Sequence, residues 1–145
     1  MSFKYSLQKL LDIKENEKQM KEVEYASAQK NFEEKATKLY QLLKRKEEVE
    51  ESYLQKLNEG VSVYEIQQQQ NSLFRMKMEI DKQMKETDIA RAVMNKRQAE
   101  LISISMDVKK FEKMKEIKKE QFILEQKRLE MKEMDEISLQ LYVNR

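Results

Sequence analysis

The carboxylates are the first candidates for acid–base chemistry in this chain, because it has no imidazole and no thiol. The 145 residues include 27 Asp and Glu and 29 Lys and Arg, with no His, no Cys and no Pro, and Gly60 is the single glycine. Without His or Cys, neither imidazole nor thiolate metal sites are possible, nor a Cys nucleophile or the commonest general base. One glycine cannot build a phosphate-cradling loop. A carboxylate pair could still trade protons, but only inside a concave pocket that strips water from one member. The elements that would have to build such a pocket are therefore the next question.

Those elements are two helices. Gly and Pro are the strongest breakers of a helical pattern, and here one break is available. Charged residues make up 39% of the chain and apolar residues another 39%. That is well above the usual quarter of charged residues and is the profile of long helices or coiled coils. Disorder is disfavoured because the apolar residues recur periodically. The fold class expected is all-α: a long antiparallel two-helix coiled-coil hairpin, turning near Gly60, with a C-terminal helical overhang. It is read as one coiled-coil domain over 1–145, with helix 1 over about 6–58, a turn at 59–62 and helix 2 over about 63–141. Two paired helices offer no enclosed pocket, so no enzyme activity, cofactor or metal is expected.

Helix 1 is expected to open with Ser6 as N-cap. It continues through Leu7, Leu11, Tyr25, Ala28, Phe32, Leu39, Leu42, Val49, Tyr53 and Leu57 at mostly heptad spacing. At the turn Gly60 can take the left-handed conformation. Ser62 and Glu65 then form a capping box, with Val61 and Ile66 at the positions of a hydrophobic staple. Helix 2 repeats more strictly. Ile66, Leu73, Ile80, Thr87, Met94, Leu101 and Val108 are each one heptad apart, and Gln69, Met76, Gln83, Ala90, Arg97, Ile104 and Phe111 form the partner series. Beyond Lys115 the phase slips to Ile117, Leu124, Met131, Met134 and Leu141.

Folding at the turn gives a register in which paired residue numbers add to about 122. Leu42 then meets Ile80, Phe32 faces Ala90, Leu11 faces Phe111, and Tyr25 faces Arg97, whose guanidinium could stack on the ring. The paired region is roughly 80 Å long, and helix 1 runs out near residue 115 of helix 2, leaving about 30 residues unpaired. Met is adaptable and common at binding faces, so the Met-rich overhang points to a partner protein.

Charge and hydropathy exclude other classes. A net charge of +2 is too small for a nucleic-acid binder. Residues 109–128 hold eight basic and four acidic side chains, which read as a solvated helix face with Glu–Lys pairs. No apolar run approaches a membrane span, so no direct membrane insertion is expected, and no signal-peptide core opens the chain. A cytoplasmic location is expected.

Both ends carry a recognisable pattern. Phe3-Lys4-Tyr5-Ser6-Leu7-Gln8-Lys9-Leu10-Leu11-Asp12-Ile13-Lys14-Glu15 resembles the opening of the flagellar export family FliJ, as do Val108-Lys109-Lys110-Phe111-Glu112-Lys113 and Glu130-Met131-Lys132-Glu133-Met134-Asp135-Glu136 the family's C-terminal stretch. The resemblance covers the whole chain. It implies a non-catalytic component of the bacterial flagellar type III export apparatus, similar in fold to the gamma stalk of rotary ATPases. The implied partners are the hexameric flagellar export ATPase FliI, whose assembly the family promotes, the export gate protein FlhA, and flagellar export chaperones. The implied location is the cytoplasmic face of the cell membrane, reached through the apparatus. By carry-over, the ATPase contacts are Gln8, Leu11, Lys14 and Glu15 with Lys132, Met134, Asp135 and Glu136. The gate region follows Gln67–Gln70 and comprises Ser72, Leu73, Phe74 and Met76. Here Ser72 stands where the family usually has an aromatic or large apolar residue, and Phe74, one step past a seam position, should be exposed. Two other functions fit the same pattern: a passive structural coiled coil, or an adaptor of another secretion system.

Overall fold

The computed structural model describes residues 2–144. The fold is all-α, a hairpin of two helices, α1 (Gln8–Glu59) and α2 (Val63–Val143), with no strand among the described residues. Two compact units form along it: Lys21–Leu101, which contains the turn, and Met1–Met20 with Ile102–Arg145.

In the Lys21–Leu101 unit the turn is built as its residues dictate. Gly60 has φ +94°, a left-handed conformation that only glycine adopts without strain. The Ser62 Oγ accepts a hydrogen bond from the Glu65 N–H at 3.2 Å, and the Ile66 N–H reaches the Ser62 carbonyl at 3.1 Å. This is the forward half of the expected capping box. From there α1 and α2 run antiparallel. Lys21 Nζ meets Glu100 at 3.1 Å and Lys35 Nζ meets Glu86 at 3.4 Å, each pair adding to 121, one short of the expected register.

The seam of this unit is narrow and partly polar. Ala28, Ile80 and Ala90 are buried, and so are Gln83 and Thr87, at 3% and 2% exposure. Both polar side chains donate to the Lys35 carbonyl, at 3.2 and 3.3 Å, and Thr87 Oγ1 also lies 2.8 Å from the Gln83 carbonyl. That satisfies them, as burial requires. The expected stacking of Arg97 on Tyr25 is replaced. Arg97 Nη1 sits 3.1 Å from Glu100 and 3.5 Å from Glu24, because two carboxylates hold a guanidinium more strongly than a ring face does. Arg91 instead lies over Phe32, 5.3 Å from the ring centroid.

In the Met1–Met20/Ile102–Arg145 unit the buried residues are Tyr5, Leu11, Ile104 and Val108, with Phe3, Leu7 and Phe111 packed against the Tyr5–Leu11–Val108 cluster. α1 starts two residues later than expected. Ser6 and Leu7 form a turn in which the Gln8 N–H bonds the Tyr5 carbonyl at 3.1 Å. The first helical bond runs from the Leu11 N–H to the Leu7 carbonyl at 2.9 Å, so Leu7, not Ser6, occupies the cap. The residues before the turn continue the pairing as a non-helical strap. The Tyr5 hydroxyl donates to the Phe111 carbonyl at 3.2 Å, and the Phe3 ring packs on Phe122 with centroids 5.6 Å apart. Pairing therefore reaches Phe122 instead of stopping near residue 115. An extended residue advances about 3.3 Å against 1.5 Å in a helix, so the short strap covers about two turns of α2. From residue 127 on, nearly every described side chain is exposed.

Candidate functional site: partner-binding surfaces

No cluster of acidic residues that could hold a metal ion occurs among the described residues. The cavities are shallow clefts of about 360–470 Å³ along the helix pairs. Among the described residues, no helix is long and apolar enough to cross a membrane.

The expected N-terminal contacts lie in the Met1–Met20/Ile102–Arg145 unit, on the first two turns of α1. Gln8 is half-buried and donates from Nε2 to Asp12 at 2.9 Å. Lys14 pairs with Glu17 at 3.8 Å, and Glu15 is half-buried beside it. Leu11 is 2% exposed, so its side chain belongs to the core and supports this face from beneath. The expected C-terminal contacts are on the overhang. Lys132, Met134, Asp135 and Glu136 are all exposed, Met134 at 67%. The structure does not gather the two groups into one cluster. Leu11 sits with Val108 and Phe111, whereas Lys132 lies 21 residues beyond Phe111 on the same helix, or about 32 Å.

The overhang exposes Met131, Met134, Ile137, Leu139 and Leu141. At its base, the Arg128 guanidinium grips Glu125 at 2.6 Å, which holds that carboxyl below its ordinary value and raises Arg128 in turn.

In the Lys21–Leu101 unit the four expected gate residues separate by face. Leu73 and Met76 are half-buried seam residues, while Ser72 and Phe74 point outward, Phe74 at 63% exposure. Met78, also exposed and four residues on, lies one turn from Phe74 and joins it on that face. The same i, i+4 spacing was available in the sequence. The strap residues Phe3 and Tyr5, whose partners are Phe122 and Phe111, had no such signal, because their contacts join positions more than a hundred residues apart.

The family described as Flagellar FliJ protein matches residues 3–145. The Flagellar FliJ protein of Bacillus subtilis (strain 168) is 38% identical over 143 residues, 99% of this chain and 97% of that protein. No solved structure matches.

Proposed function

We propose that this chain, which belongs to the flagellar FliJ family, serves flagellar protein export as the central stalk of the export ATPase. In this reading it promotes assembly of the FliI hexamer, links it to the export gate protein FlhA, escorts export chaperones, and carries out no catalysis itself. It works at the cytoplasmic face of the membrane through its partners. Family membership supports the role in flagellar export, and the finer roles are our reading.

The observation that carries the stalk role is the overhang: residues exposed from 127 on, with an apolar series that nothing among the described residues covers. Lys132, Met134, Asp135 and Glu136 are the proposed ATPase contacts there, joined by Gln8, Lys14 and Glu15, with Leu11 bracing the latter group. Since the two groups are separated along α2, they would engage different levels of the ATPase ring. Phe74 and Ser72, with Met78, are the proposed gate contacts, and Leu73 and Met76 hold them in place.

Something that binds the assembled ring but not its separate subunits stabilises the ring by mass action. Added chain should therefore raise ATP turnover most at low ATPase concentration, and the effect should fade once hexamers are formed. A truncation after Gln126 removes the overhang and keeps Phe122 for the strap. It should retain helical circular dichroism per residue and lose most of the stimulation. A truncated chain that stimulates like the full one at every ATPase concentration would refute the overhang as a contact.

A further inference from the structure

On one side of the strap is a cleft of about 470 Å³ whose lining includes Phe3, Tyr5, Gln8, Lys4, Lys9 and Lys115, and no carboxylate. None of these three lysines forms an ion pair among the described residues. Lys14, Lys21, Lys35 and Lys46 each meet a glutamate within 4.0 Å, but many other lysines do not, so what sets this cleft apart is three lysines with no carboxylate in its lining. On the other side of the strap a cleft of about 410 Å³ shares Phe3, Lys4 and Tyr5 and adds Lys118 and Phe122. Its one carboxylate, Glu125, is already taken by Arg128. Lys4 thus stands between two clefts floored by aromatic rings and edged by uncompensated ammonium groups.

We infer that this clasp is a docking surface for an acidic segment of a partner protein, its carboxylates meeting Lys4, Lys9 and Lys115 while an apolar side chain covers the half-buried Phe3 ring. Charge complementarity selects carboxylates, and the aromatic floor selects an apolar neighbour between them. The same chemistry argues against a phosphate backbone. No arginine lines either cleft to fork onto a phosphate. Along α2, Glu112, Glu116 and Glu120 recur every four residues among the lysines, so a continuous polyanion would meet repulsion at each turn. The inference does not depend on the stalk reading: the lysines and rings belong to neither contact set proposed above, and Gln8 is the one lining residue shared with the ATPase set.

The test uses the full ¹⁵N-labelled chain and a short amphipathic Glu/Leu peptide as probe. A matched Lys/Leu peptide, oligothymidylate and phosphatidylglycerol vesicles serve as competitors for the same surface. The Glu/Leu peptide should shift the amides of Lys4, Gln8, Lys9 and Lys115, with affinity that falls as salt rises. Replacing Lys4, Lys9 and Lys115 together by Glu should weaken binding about tenfold or more, and replacing them by Arg should preserve it. The same charge change placed at the exposed Lys30, Lys38 and Lys82 should leave affinity within about twofold. Circular dichroism checks that all variants fold. Absent shifts, equal losses from the two Glu triples, or tighter binding of oligothymidylate or vesicles at these amides would each overturn the proposal.

Discussion

Replacing Leu11 by Ala separates a core role from a contact role at the one expected ATPase-binding residue that is enclosed. Leu11 packs with Tyr5 and Val108 and is 2% exposed. The change removes three carbons. At about 0.8 kcal/mol per buried carbon, the lost transfer energy is about 2.4 kcal/mol. A cavity contribution adds to this, but Leu7 and Phe111 are only half-buried beside the site and can close in. The expected loss is therefore about 2–3 kcal/mol, near the low end for such truncations. Ile13→Ala is the control. Ile13 is 53% exposed, so about half its transfer energy is at stake, and the better helix propensity of Ala offsets part of that, leaving about 0.5 kcal/mol. Urea unfolding followed by circular dichroism gives both values, and amide exchange near residues 7–14 and 104–111 localises the loss. Stimulation of the ATPase by Leu11→Ala, measured where the variant remains folded, should match the parent. A variant within about 0.5 kcal/mol of the parent that nevertheless fails to stimulate would refute the core assignment and make Leu11 a contact.

Two further perturbations probe the Lys21–Leu101 unit and its neighbour. Ser62→Ala should cost about 1 kcal/mol, because the Glu65 N–H loses its acceptor; Ser103→Ala, exposed within α2, should be neutral or slightly stabilising in the same thermal melts. The Lys21–Glu24–Arg97–Glu100 cluster should give a pH signature. Hydrogen bonds from Lys21 first and Arg97 second lower the Glu100 pKa from 4.5, so its contribution is present above that value and is lost as pH falls through the lower folded one. Lys21 is raised from 10.5, chiefly by its hydrogen bond to Glu100, so its contribution is present below that value and is lost as pH rises through the higher folded one. Glu100→Gln should flatten both limbs of a plot of melting temperature against pH; an unchanged alkaline limb would show that Lys21 gains nothing from this partner.

What could be read in the sequence was whatever is encoded locally or periodically. Gly60 and Ser62 act through their own backbone and the next turn, and they appear where their chemistry puts them. The heptad series of helix 2 fixed which face packs, and the register came within one residue. Contacts without a repeat were not legible. Arg97 had a ring and two carboxylates within reach, and spacing alone does not rank them. The strap departs from helical geometry before α1 begins, so Phe3 reaches Phe122, a position that the expected register does not pair with it. Exposure of Phe74 followed from its step past the seam. The separation of the two expected ATPase groups did not, because a set of residues near both ends says nothing of their distance along α2.

Unequal advance per residue makes the clasp sensitive to length in a way the helices are not. Losing the strap residue between Phe3 and Tyr5, ahead of the Ser6–Leu7 turn, would draw position 3 back by about 3.3 Å, roughly two residues of α2. The ring would stay on the same side of α2 but fall short of Phe122, loosening the 5.6 Å contact. The strap behaves like a gear meshed with a finer one, in which one skipped tooth shifts the engagement by two. Substitutions that keep an aromatic at position 3 are therefore better tolerated than any insertion or deletion in the residues behind it. At the far end of α2, past residue 126, adding or removing a residue disturbs no internal mesh.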